Sequence, residues 1–118
     1  MFDFEKLEVY HKAKVYHRQI SGLVLKLKLS ASEKDQLRRA SFRIVLNIAE
    51  GSGRFTKPDK RNFYVIARGT VFETVAILEI FYELGYIEKS TYQTFYSQAE
   101  ELSKMLFGMI KNLEDGVK

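Results

Sequence analysis

The side chains able to do chemistry gather in one stretch, QLRRASFRIVLNIAEGSGRFTKPDKRNFYVIARGTVFETV, residues 36–75. Asn47 falls three residues after Ile44 and seven after Ala40, which places an amide on the apolar face of a helix. A buried amide needs hydrogen-bond partners. Glu50 lies three residues further on, and Glu73 and Arg39 are the other candidates for a polar network facing inward or towards another subunit. A carboxylate in such a place needs a cation, and an arginine offers a two-pronged fork. The network would fix helix register or join subunits. Reading Glu50 and Glu73 as a general acid and base is the weaker alternative, because no phosphate-binding glycine loop, nucleophile triad or metal-spaced histidine pair accompanies them. His11 and His17 are six apart and miss the facing i,i+4 arrangement. There is no cysteine, which excludes a disulfide scaffold, a thiol nucleophile and a thiolate metal site. The expectation is a protein that is not an enzyme and uses no cofactor or metal.

A second group is cationic. Lys34, Arg38 and Arg43 lie before the NIAEG segment, Arg54, Lys57, Lys60 and Arg61 directly after it, and Arg68 further along. GSGRFTKPDKR resembles a phosphate loop only in its glycines; it lacks the Walker spacing and the terminal Lys-Ser/Thr, and reads as a connection between helices. A helix start there adds positive potential to the cations around it. Residues 1–68 hold 15 Lys+Arg against 7 Asp+Glu, and residues 69–118 hold 4 against 8, so the net +4 conceals halves of +8 and −4. Such asymmetry suits an RNA or DNA backbone. It equally suits a solvated surface with pairs between subunits to Glu79, Glu83 or Glu100, in head-to-tail packing.

The elements that must position these residues are helices. Apolar residues recur at helical spacing almost throughout, and strand-like alternation is never sustained. The sequence predicts an all-α, antiparallel up-and-down four-helix bundle in a single domain over 1–118. Its helices fall at about 4–26, 31–51, 57–84 and 91–113. The first carries Leu7, Tyr10, Ala13, Tyr16 or His17 and Ile20 on one stripe, and GLVLKLKLS reads as a fraying helix end and loop. Ser30 with Glu33 marks the second start, with Ser32 and Asp35 as a rival, and Gly51 or Gly53 its end through a left-handed cap. Thr56, Pro58 and Asp59 mark the third start and Gly85 its stop. Its apolar band takes in Phe63, Ile66, Ala67, Thr70, Val71, Val75, Leu78, Phe81 and Tyr82, and Gly69 within it suits close packing on another helix. Ser90 with Gln93 marks the fourth start, and the tail EDGVK should fray.

Nine Phe and seven Tyr are more than one small bundle can hide. Val65, Phe72, Ile80, Phe107 and Met109 lie partly off the main stripes, and patches of this kind mark protein interfaces. An oligomer is expected. No window reaches the roughly 18 apolar residues of a membrane span, and the start, MFDFEKLEVYHK, has no signal-peptide pattern. Partners are therefore expected to be other copies of the chain, RNA or DNA, or another protein, with no membrane, in the cytoplasm.

Arg38, Arg39 and Ala40, then Asn47, Ile48, Ala49, Glu50 and Gly51, then Gly53 and Arg54, are followed by Ile66, Ala67, Arg68, Gly69, Thr70 and Glu73. With the opening FEKLEVYHKA and the late LGYI, this pattern resembles the four-helix bundle proteins encoded by intervening sequences within bacterial 23S ribosomal RNA genes. Two departures are small: Ser41 is followed by Phe42 and Arg43 where small residues are frequent, and Thr70 stands where Ser is common. The resemblance implies an up-and-down bundle that assembles as a homopentamer, without enzymatic activity. It also implies kinship with the accessory proteins of diversity-generating retroelements, which share the bundle and are thought to bind nucleic acid and a reverse transcriptase. Two functions are carried forward: an oligomer that binds nucleic-acid backbone, and a structural or protein-recruiting assembly module.

Overall fold

A computed structural model describes residues 1–115; the last three residues of the EDGVK tail lie outside the described residues. A 3-10 turn, Asp3–Lys6, leads into α1 (Glu8–Lys26), α2 (Ala31–Ser52), α3 (Lys57–Glu83) and α4 (Lys89–Asp115). The four helices run up and down, each antiparallel to the next, and no strand forms among the described residues. GLVLKLKLS stays helical to Lys26 and then becomes loop, its Val24 continuing the buried stripe. The opening differs from expectation: Leu7 is extended and separates the 3-10 turn from α1.

Caps account for most boundaries. Ser30 accepts the Glu33 amide at 3.2 Å while its hydroxyl donates to the Glu33 carboxylate at 3.0 Å. Thr56 accepts the Asp59 amide at 3.3 Å, with Pro58 in the first turn of α3. Gly85, at φ +78°, ends α3. The Tyr86 amide donates to the Phe81 carbonyl at 2.8 Å and the Gly85 amide to that of Tyr82 at 3.0 Å, while the Tyr86 and Phe81 rings meet edge on at 5.7 Å. This is a Schellman stop with its apolar contact.

Two boundaries are corrected. The end of α2 does not use a left-handed glycine: Gly53 sits at φ −90°. Gly51 is there for space, since a Cβ on it would lie 2.9 Å from both Phe63 Cβ and Tyr64 Cε1. Helices α2 and α3 approach closely at this point. Helix α4 starts at Lys89 instead of after Ser90, because the Schellman turn brings the chain round early and the Tyr92 amide already bonds the Glu88 carbonyl at 3.0 Å.

The interior is apolar. Val9, Ala13, Tyr16, Ile20 and Val24 of α1 meet Leu37, Ile44 and Ile48 of α2, Ala67, Val71 and Leu78 of α3, and Ala99, Leu102 and Leu106 of α4. The α1–α4 seam is held by polar side chains at its rim, an ion pair between Lys12 and Glu101 and a Gln98–Gln19 hydrogen bond of 2.5 Å. One polar chain crosses the core. The Tyr16 hydroxyl donates to Thr74 Oγ1 at 2.8 Å, and Thr74 donates in turn to the Val71 carbonyl at 2.6 Å. Burial pushes the Tyr16 phenol up to about 12, against the opposing pull of the Thr74 hydrogen bond, so it stays a neutral donor.

The direction of that chain predicts unequal mutational costs. Thr74→Val keeps the shape but orphans the buried Tyr16 hydroxyl, and should cost about 1–3 kcal/mol in urea unfolding. Tyr16→Phe leaves Thr74 its bond to Val71 and should cost about 1 kcal/mol. The double variant should be more stable than the sum of the two losses requires. Strict additivity in the cycle would show that the two side chains do not communicate.

Candidate functional site

The four residues expected to form one polar network point to the outer face of α2 and α3. Asn47 is half-buried and its Nδ2 donates to the Arg43 carbonyl of its own helix at 2.8 Å. Val45 is buried in the bundle where the sequence placed Asn47, because Ser41 and Ile48 roll α2 so that Val45 joins their side. Glu73 pairs with Arg43 at 3.0 Å, tying α3 to α2, and Glu50 pairs at 3.5 Å with Arg54, four residues on and just past the end of α2. The two carboxylates are thus held by different arginines. Arg39 is exposed and makes no ion pair among the described residues.

The cations divide between the ends of the bundle. Lys34 and Arg38 lie near the start of α2, where Arg38 pairs with Asp35 at 3.0 Å. Arg54, Lys57, Lys60 and Arg61 lie around the α2–α3 connection, about 27 Å away along α2. There the Arg54 guanidinium stacks on the Phe63 ring at 4.4 Å. The Lys60 ammonium donates to the Ser52 carbonyl at 2.7 Å, at the negative end of the α2 dipole. Arg61 grips Glu114 through Nε at 2.9 Å and through a second nitrogen. Arg43 and Arg68 sit between the two ends. The eight residues expected to form a phosphate-binding set therefore make a cluster of four at one end, a pair at the other, and two on the flanks.

Apolar surface is the more continuous feature. Val65, Gly69, Phe72, Ala76 and Ile80 follow one another at spacings of three or four along the outer side of α3, and all five are exposed. Phe72 and Ile80 leave 54% and 50% of their surface open. Ile66, expected in the core, is 44% exposed, while Tyr64 and Thr74 are buried instead. Gly69 does not serve close packing within the chain, since a Cβ there would meet nothing within 4 Å. Met109, in contrast to Phe107, packs partly against the core. Beside the stripe runs a groove of about 540 Å³ between α3 and α4, with Phe72 and Ala76 on its wall, Arg68 and Lys104 towards one end, and Glu79 and Tyr96 towards the other. Arg68 is clamped there, its guanidinium 4.8 Å from the Phe72 ring and 5.5 Å from that of Phe107. The i,i+4 spacing of Arg68 and Phe72 was the only sequence signal for this arrangement, and the partner across the groove comes from another helix.

The histidines lie apart. His11 Nε2 donates to the Glu5 carbonyl at 2.7 Å. His17 Nδ1 lies 2.7 Å from Ser41 Oγ, and Ser41 itself donates to the Arg38 carbonyl at 2.9 Å, so the histidine is the donor and carries its proton on Nδ1. The Phe42 ring lies against it, 5.2 Å between centroids. Burial, and then the nearby Arg38 charge, hold the His17 pKa below its ordinary value of 6.5. No group of three His, Asp or Glu side chains close enough to hold a metal ion forms among the described residues. No helix among them is long and apolar enough to cross a membrane.

Comparison with known proteins agrees with this architecture. The family model described as 23S rRNA-intervening sequence protein matches residues 5–108. A solved structure from Bacteroides thetaiotaomicron, a protein of unknown function from the S23 ribosomal protein family, superposes with a TM-score of 0.81 at 24% identity. That likeness covers 87% of this chain and 98% of the other, and concerns the fold. No curated protein matches the chain.

The environment of His17 sets a pH dependence. Its pKa is lower folded than unfolded, so its contribution to stability is present above about pH 6.5 and is lost as pH falls through that value towards the folded pKa. The thermal midpoint should drop between pH 7.5 and 5.5, and His17→Gln should flatten the drop. An equal drop in the variant would assign the effect to other groups.

Proposed function

This chain belongs to the 23S rRNA-intervening sequence protein family, and we propose that it is a self-assembling helical bundle that works by presenting surfaces, not by catalysis. The observation that carries this reading is the uninterrupted apolar stripe Val65–Gly69–Phe72–Ala76–Ile80 on the solvent side of α3. At roughly 25 cal/mol per Å², an exposed stripe of this kind is a standing drive to association. Small residues at Gly69 and Ala76 let a second helix approach between the larger side chains. Other copies of the chain are the partners, and five subunits is the number that the sequence resemblance implies. The family's kinship with retroelement accessory proteins belongs to the same proposal, as a setting in which such an assembly would dock another protein.

A second reading rests on Arg54, Lys57, Lys60 and Arg61 gathered at the start of α3. Arg54 and Arg61 keep about two-fifths of their side-chain surface open, 41% and 40%, while engaged with the protein. Four cations at one end, repeated in every subunit, form a surface for RNA or DNA backbone whose avidity grows with subunit number. Lys34 and Arg38, at the opposite end, are not part of it.

Light scattering after size exclusion tests the first reading. The mass should be a multiple of 13.8 kDa, and a monodisperse single chain at high concentration would remove it. For the second, replacing Arg54, Lys60 and Arg61 together by Ala should weaken RNA or DNA binding and reduce the slope of log K against log salt by roughly one per lost phosphate contact. Affinity unchanged for both nucleic acids would discard the cluster as a binding surface.

A further inference from the structure

The α3–α4 groove and the outer ridge of α2 carry the same chemistry in the same N-to-C order, so laying one antiparallel to the other sets opposite charges together. Along α3 the groove presents Arg68, Phe72, Ala76 and Glu79, at steps of four, four and three. Along α2 the ridge presents Arg39, Phe42, Leu46 and Glu50, at steps of three, four and four. Each set has a cation at one end, a carboxylate eleven residues on, about 16 Å away along the helix, and two apolar positions between them. All four ridge residues are exposed, as are Phe72, Ala76 and Glu79 in the groove. Laid antiparallel, the two sets pair Glu50 with Arg68, Leu46 with Phe72, Phe42 with Ala76 and Arg39 with Glu79. The bulky Phe42 then meets the smallest position in the groove, and Arg39 meets a carboxylate beside the Tyr96 ring. Neither Arg39 nor Glu79 has an ion-pair partner of its own among the described residues.

The symmetry follows from the chain's own geometry. An α2 ridge antiparallel to a neighbour's α3 is parallel to that neighbour's α2, because α2 and α3 are antiparallel within each subunit. The copies then all point the same way, related by rotation about an axis along the bundle. Their heights agree as well. The Arg43–Glu73 pair marks one level on both helices. From it Arg39 lies four residues and Glu79 six residues towards the same end, and Glu50 seven and Arg68 five towards the other. The mismatch is two residues at both ends, about 3 Å of rise, within the reach of these side chains. Rotation with so little translation closes a ring and does not climb into a filament.

We propose that copies of this chain pack head to tail, the α2 ridge of one seated in the α3–α4 groove of the next, with Arg39 on Glu79 and Glu50 on Arg68. This rests on the assembly reading above and names its two faces. The test is a charge exchange followed by light scattering at a series of concentrations. Arg39→Glu and Glu79→Arg, each alone, set like charges against each other and should raise the dissociation constant on the order of 100-fold. The double variant restores the pair and should recover the wild-type mass. Both positions are exposed, so circular dichroism should show unchanged helix content in all three. A wild-type chain that assembles while both single variants keep its mass, or a folded double variant that stays dissociated, overturns the proposed register and leaves assembly standing. A wild-type chain that is monomeric overturns assembly itself.

Discussion

A hydrogen bond through the centre of an apolar bundle is what ties its helices to one angular setting. Tyr16 on α1 and Thr74 on α3 face each other across the interior and are almost wholly buried, at 1% and 0% exposure. Apolar side chains tolerate small rolls of a helix, since dispersion is not directional. A buried hydroxyl does not, because losing its partner exposes the full cost of desolvation. Once α3 is held by Thr74, its outward side is set as well. Glu73, the preceding residue, is brought to Arg43 on the α2 side, and Phe72 and Ala76 are left facing out beside α4. The candidate interface is in this sense the reverse side of the core.

Tight and loose seams complement that setting. Helices α2 and α3 come together at Gly51, where no side chain would fit, and their outer rim is bridged by Arg43 and Glu73. Between α3 and α4 the spacing opens into a groove whose wall is propped by Arg68 stacked between Phe72 and Phe107. A stacked guanidinium stays charged while covering apolar surface. The groove therefore presents an apolar wall and a cation together, and opposite charge stands about three turns away at Glu79.

Much of the bundle was legible in the residues. Ser30 with Glu33, Thr56 with Pro58, and Gly85 are local devices that act through neighbours three or four positions away, so they could be read from spacing alone. The surplus of aromatics was legible too, and Val65, Phe72, Ile80 and Phe107 do face outward. The polar residues were harder. Asn47 sits at helical spacing from Ile44, yet α2 is rolled enough to bury Val45 and leave Asn47 bonding its own backbone. Gly69 reads as a close-packing glycine, yet no helix of the same chain comes near it.

By itself the sequence determined the helices, their order and the excess of apolar surface, because caps, periodicity and composition are properties of short stretches. Which residues share a surface was decided only by the tertiary structure. The eight basic residues were one group along the chain, but antiparallel packing sends the start of α2 and the start of α3 to opposite ends. Arg39 and Glu50 stood out in sequence as candidate network residues, Arg68 as one of the cations and Glu79 as an acid for pairs between subunits, but nothing in the sequence matched one set to the other. Which of them share a face, and how nearly their heights on the bundle correspond, follows from helix roll and antiparallel order, which depend on contacts between residues far apart in the chain.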